Sequence, residues 1–133
     1  MTDDLAPRLF LRLDFADGRG LGPGKVALLE AIRAHGSILA AAKATGMSYR
    51  RAWLLVDDLD RMFAEKVLIT YPGRRGAGTE LTPFGERVIS LYRAMERQAQ
   101  KATAAAAREL TASLSADYVP RPREDAGSQV KTG

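Results

Sequence analysis

Residues 37–63 constrain the fold of this chain more than any other stretch. Two short helix-favouring segments meet there at a turn, Gly46-Met47. The first, opening at Ser37, is rich in alanine, so a neighbouring helix can approach its backbone closely. The second starts at Ser48, whose hydroxyl can cap a helix by accepting a backbone N–H bond. This pattern predicts a helix-turn-helix whose second helix, over residues 49–63, is free to enter a DNA groove.

Wound at roughly 100° per residue, that second helix separates into faces. Ala52, Val56, Leu59 and Phe63 share one narrow arc and form the expected buried face. Arg50 points the opposite way, with Leu54, Asp57 and Arg61 near it and Arg51, Trp53 and Asp58 on the flanks. Aromatic and basic residues thus gather in the first turn and a half, the part of a recognition helix that reaches base edges. Asp57, Asp58 and Asp60 follow, and phosphates would repel them. Such a helix would bind DNA by its N-terminal end rather than along its length. Trp53 has two readings, a core aromatic at the junction with the wing or first helix, or a contact to DNA. Tyr49 can reach a phosphate with its hydroxyl or simply face solvent.

Composition narrows the classes further. The 133 residues suit one domain plus extensions, and 46% hydrophobic content suits a globular chain. No apolar run approaches the ~20 residues of a membrane span, and Asp3 and Asp4 do not fit a signal peptide. Without cysteine there is no disulfide frame and no thiolate site. A cytoplasmic location is the expectation. The net charge of +4 fits an anionic partner only loosely. Its placement says more, because Arg50-Arg51 and Arg74-Arg75 have no acidic residue within two positions. Local basic patches of this kind neutralise phosphates and release counterions.

Along the chain, residues 1–7 read as a loose terminus. Arg8 to Phe15 alternates, with Leu9, Leu11, Leu13 and Phe15 on one side, and predicts a half-buried strand. Asp17 to Gly24 is a glycine-rich connection. Gly24-Lys25 resembles the end of a nucleotide phosphate loop, but Arg19 stands where its first glycine is needed. Val26 replaces the metal-binding Ser or Thr, so a turn is the better reading. Pro23 suits a first helical turn, Lys25 to His35 follows as a helix, and Gly36 ends it. His35, the single histidine, lacks the partners that a metal or catalytic role requires.

After the helix-turn-helix, Val67 to Tyr71 and Glu80 to Thr82 are strand-like. They flank a glycine-rich tip that carries Arg74 and Arg75. This is the pattern of a β-hairpin wing, whose arginines can lie along phosphates or in a minor groove. Thr82-Pro83 starts a helix expected to run to about Leu114, roughly 45 Å. Phe84, Val88, Leu91 and Met95 recur along it at three- and four-residue steps, the pattern of a dimer seam. A frayed helix end is the alternative for its alanine-rich half. The polar segment 115–133, with Pro120 and Pro122, reads as a disordered tail.

These residues resemble a known family. Leu21-Gly-Pro-Gly-Lys-Val-Ala-Leu-Leu-Glu-Ala-Ile, Gly36-Ser-Ile and Met47-Ser-Tyr-Arg-Arg-Ala-Trp53 are similar to the N-terminal domain of ModE-type molybdate-responsive transcription regulators. The wing Gly73-Arg-Arg-Gly-Ala-Gly and the following Leu81-Thr-Pro-Phe-Gly fit as well. More remotely, the helix-turn-helix looks like that of LysR-type regulators. The resemblance covers roughly residues 8 to 114. It implies a winged helix-turn-helix that dimerises partly through its long last helix and binds a palindromic operator. Family DNA contacts would fall on Ser48, Tyr49, Arg50, Arg51, Arg74 and Arg75. Full-length members continue into small β-barrel domains that bind molybdate, whereas this chain ends in a polar tail.

The expected architecture is therefore mainly α with a small β-hairpin, a winged helix-turn-helix with a long C-terminal dimerisation helix. Its units are a loose N-terminus at 1–7, the DNA-binding domain at 8–82, the dimerisation helix at 83–114 and the tail at 115–133. The expected function is a dimeric, sequence-specific regulator of transcription on double-stranded DNA, ModE-like without the molybdate-binding domains. Its contacts would be Ser37, Ser48, Tyr49, Arg50, Arg51, Trp53, Arg74 and Arg75. No cofactor, metal, membrane partner or enzymatic activity is expected, and a sensor on a separate chain is left open. The rival reading is a winged-helix protein–protein adaptor, which exposed Leu54 would favour.

Overall fold

The computed structural model describes residues 7–71 and 78–122. The elements are β1 (Leu13–Asp14), β2 (Gly20–Leu21), α1 (Pro23–His35), α2 (Ile38–Thr45), α3 (Tyr49–Met62), β3 (Leu68–Thr70), β4 (Thr79–Leu81) and α4 (Pro83–Ala112). This is a mainly α, winged helix-turn-helix architecture with a long C-terminal helix.

Local chemistry sets most boundaries. Pro23 opens α1 and Gly36 closes it in the left-handed conformation, its N–H bonding the Ile32 carbonyl. The Ser37 hydroxyl then accepts the Ala40 N–H and starts α2. At the far end of α2, Gly46 N–H reaches Lys43 O and Met47 N–H reaches Ala42 O. This paired closure, with Gly46 at φ +73°, makes the tight turn into α3. Ser48 caps α3 by accepting the Arg51 N–H at 3.1 Å, and Thr82 caps α4 through Gly85 N–H at 2.9 Å.

Leu28, Leu29 and Ile32 of α1 are fully buried between α2, α3 and α4. Ala41, Ala42 and Ala52 bring α2 and α3 close to them, as the small side chains allow. The hairpin β3–β4 is antiparallel, pairing Leu68 with Leu81 and Thr70 with Thr79. It is tied to the helical head by a bond from Thr79 N–H to the Gly36 carbonyl. Gly85 lets α4 approach the residue before β3 so closely that a Cβ there would lie 2.3 Å from the Val67 carbonyl oxygen.

The structure differs in detail from the sequence expectations. The strand expected over Arg8 to Phe15 shrinks to Leu13–Asp14, because its partner is only Gly20–Leu21. Upstream, residues 7–12 run without strand pairing beside α4. They are held there by Leu9 N–H to Gln100 and by the Tyr92 hydroxyl donating to the Leu11 carbonyl at 2.6 Å. The buried face of α3 ends on Met62 rather than Phe63, which is the C-terminal cap and packs edge-on to Phe84.

Residues of the expected dimer seam also pack within the protomer. Val88 is only 5% exposed and belongs to the protomer's own core, with Phe84 and Met95 packed against it. Of the four residues, Leu91 alone faces outward, at 46% exposure. A three-and-four spacing marks any helix face that packs, and the first half of α4 packs on its own domain. Finally, α4 ends at Ala112, where Ser113 caps it, two residues short of the expected Leu114. The wing tip with Arg74 and Arg75, and the tail from residue 123, lie outside the described residues.

Candidate nucleic-acid interface

A helix can present its first turn outward only if its opposite face is anchored. Ala52, Val56, Leu59 and Met62 anchor α3 in the core. That leaves Tyr49, Trp53 and Leu54 exposed at 50%, 46% and 49%, together with Arg50 and Arg51. The N-terminal turn thus shows two aromatics, one leucine and two guanidinium groups. Trp53 is not the covered core aromatic of the first of its two readings.

Electrostatics separate the two ends of α3. Among the described residues neither Arg50 nor Arg51 makes an ion pair, so both guanidinium groups can bond an outside acceptor. The carboxylates further along are all engaged. Asp57 pairs with Arg61 at 3.0 Å, Asp58 with Lys25 at 2.5 Å, and Asp60 with Lys66 at 3.6 Å. Asp60 also accepts the Val67 N–H, fixing the exit towards the hairpin. The acidic stretch that would repel phosphates is therefore partly neutralised by cations from α1, α3 itself and the following loop.

The C-terminal end of α3 is held from outside the motif. Arg19 donates to the Met62 carbonyl at 2.6 Å while bonding Asp17. That hydrogen-bonded guanidinium pushes the Asp17 carboxyl down to about 2. Lys25 bonds the Gly20 carbonyl at 2.6 Å as well as Asp58. The sequence carries no local signal for these two bonds, since Arg19 meets Met62, 43 positions away, and Lys25 meets Asp58, 33 positions away.

The two serines differ. Ser48 lies exposed, and its hydroxyl, though used as a cap acceptor, retains a proton to donate. Ser37 is only 7% exposed and its oxygen caps α2, which keeps it from the surface the other residues share. It supports the motif by setting the start of α2. Arg74 and Arg75 lie outside the described residues.

Behind the motif, α1 and α4 are joined by ion pairs. Arg93 holds Glu30 through two bonds of 2.6 and 3.0 Å and bonds Glu96 at 2.6 Å. The guanidinium lowers the Glu30 carboxyl below its ordinary value. Arg33 and Glu86 pair at 2.8 Å nearby. Among the described residues there is no group of three His, Cys, Asp or Glu side chains that could hold a metal ion, and no helix long and apolar enough to cross a membrane.

No protein-family model matches the chain. Individual relatives do. Over 93 residues it is 39% identical to the molybdenum transport protein ModE of Azotobacter vinelandii, covering 69% of this chain and 34% of that protein. Over 80 residues it is 44% identical to the molybdenum-pterin-binding protein MopB of Rhodobacter capsulatus, covering 59% of this chain and 30% of the relative. Over 82 residues it is 35% identical to the DNA-binding transcriptional dual regulator ModE of Escherichia coli K12, covering 60% and 31%. The chain thus spans about a third of the length of the curated relatives it matches.

Proposed function

Since this chain is of the ModE type over the region it shares with those relatives, we propose that it is a dimeric, sequence-specific DNA-binding regulator of transcription. One observation carries the reading: Arg50 and Arg51 stand exposed and, among the described residues, without ion pairs at the capped N-terminal turn of a core-anchored helix. An arginine presented this way can make the bidentate contact to guanine O6 and N7 in the major groove, and Arg50 is our candidate. Arg51, Tyr49 and Ser48 hold phosphates, and Trp53 meets sugar or a thymine methyl. Arg74 and Arg75, outside the described residues, would extend the contact from the wing.

Residues 8–82 act as the DNA-binding unit and 83–114 as the helix that joins two copies. With Val88 inside the protomer, the joining surface is Leu91 and the exposed alanine-rich half of α4. A dimer would set two α3 helices about 34 Å apart, one turn of DNA. No enzymatic step is assigned to these residues, and a cytoplasmic setting goes with the work. Two of the relatives are named for molybdenum transport and molybdenum-pterin binding, but we assign this chain no molybdate-binding residues.

The test is a titration of labelled DNA from upstream of the protein's own gene against a scrambled duplex, at two salt concentrations, with and without molybdate. Tight, salt-sensitive binding to the first duplex alone supports the regulator. A molybdate effect would restore a sensing role to this chain. The exposure of Leu54 and Trp53 favours a second reading, a protein–protein adaptor, and absence of binding at low salt would turn the choice to it.

A further inference from the structure

The glycine-rich connection and the flank of α3 meet at a groove of about 200 Å³. Its lining includes Arg12, Gly20, Gly24, Lys25, Arg51 and Leu55. Three cations border it, and they differ in how they are held. Lys25 is fixed below by Asp58 and the Gly20 carbonyl. Arg12 is paired with Asp14 at 2.6 Å, but both side chains are largely in solvent. Such an exposed pair contributes little, so a stronger acceptor can displace it readily. Arg51 has no ion pair among the described residues. Against these three positive charges the bonded carboxylates are two, Asp14 and Asp58, leaving the groove one positive charge in excess.

Part of the groove wall, at Gly24, is open. A Cβ built on Gly24 meets nothing within 4 Å, although Gly24 lies inside α1, where alanine would form helix more readily. The space above this backbone is therefore free for a group from outside, and the positive charge of the lining suits a phosphate.

We infer that this groove seats a backbone phosphodiester of the DNA held by α3. Arg12 and Arg51 donate to its oxygens, and Lys25 supplies a fixed charge beneath them. The inference rests on the DNA-binding reading above and adds a contact from the connection before α1, outside the helix-turn-helix and the wing. A phosphate contact positions the duplex without reading bases, so it acts on specific and random sequences alike.

The experiment compares the full chain with Arg12→Gln and with Gly24→Gln, which fills the open wall with an uncharged side chain. Each is titrated with the upstream duplex and the scrambled duplex across a series of salt concentrations, and thermal unfolding is followed in parallel. Expected is a several-fold loss of affinity on both duplexes, with the salt slope lowered by about one counterion in Arg12→Gln. Gly24→Gln should keep or raise the unfolding temperature, because glutamine is the better helix residue. Should Gly24→Gln instead melt early, Arg12→Gln decides alone. Unchanged affinity and slope beside a binding wild type would overturn the groove and leave the DNA reading standing. A loss confined to the upstream duplex would also overturn it, as that marks base readout. A wild type that binds neither duplex would remove both.

Discussion

Lys25 Nζ in the first turn of α1 lies 2.5 Å from Asp58 Oδ2 on α3, 33 residues further along the chain. The ammonium group is mostly buried and also bonds the Gly20 carbonyl, so one side chain joins three segments. It fixes α3 against α1. Lys25→Met should keep the packing of the stem and lose these bonds, destabilising the fold by about 1–2 kcal/mol, the lower range for charged hydrogen bonds because Asp58 stays partly hydrated. Urea unfolding measures this, and an unchanged midpoint would mean the clamp contributes nothing.

Arg50 and Arg51 are neighbours with different expected roles. Arg50→Ala should weaken binding to a specific site by about 1–3 kcal/mol and change random DNA binding much less. Arg51→Ala should weaken both similarly. Fluorescence anisotropy on matched duplexes separates the two, and equal losses for Arg50→Ala would reduce it to a phosphate contact.

Gly85 sits where α4 lies against Val67, just before β3. An alanine Cβ would come within 2.3 Å of the Val67 carbonyl oxygen, so helix and hairpin must move apart. Gly85→Ala should cost about 1–3 kcal/mol despite alanine's better helix propensity. A denaturant midpoint equal to wild type would show that the hairpin yields freely.

The Tyr92 ring is fully buried and its hydroxyl donates to the Leu11 carbonyl. Tyr92→Phe should cost about 1 kcal/mol and loosen residues 7–12 selectively. Amide exchange in that segment should quicken while α1 stays protected. Uniform quickening would point to a global loss instead.

Glu30 is held ionised by its two bonds to Arg93, which lower its carboxyl relative to the unfolded chain. A lowered folded value means the unfolded state takes up the proton first as acid is added. The stabilisation is complete above the ordinary glutamate value, about 4.3, and disappears as pH falls through the lowered folded value. Glu30→Gln should therefore be less stable than wild type at pH 7 and closer to it at pH 3. A constant difference across that range would exclude the linkage.

The caps and turns of this protein were legible in the sequence, because each depends on residues a few positions apart. Ser37, Gly46, Ser48, Thr82 and Pro83 mark boundaries through their own backbone bonds, and the structure keeps those boundaries within a residue or two. The exposed turn of α3 was legible for the same reason, since its buried face repeats at helical spacing. What periodicity cannot say is which partner a face meets. Phe84, Val88 and Met95 have the same spacing whether they pack on a second copy or on their own domain. Only the folded chain shows that α1 and the hairpin lie beneath them. Charge behaves likewise. The carboxylates of α3 read as a barrier to phosphate until Lys25 and Lys66 arrive from other segments, and Arg12 and Arg51 come to line one groove only once the connection folds back. Local bonding is written in neighbouring residues. Pairing between distant ones is decided by how the helices stack.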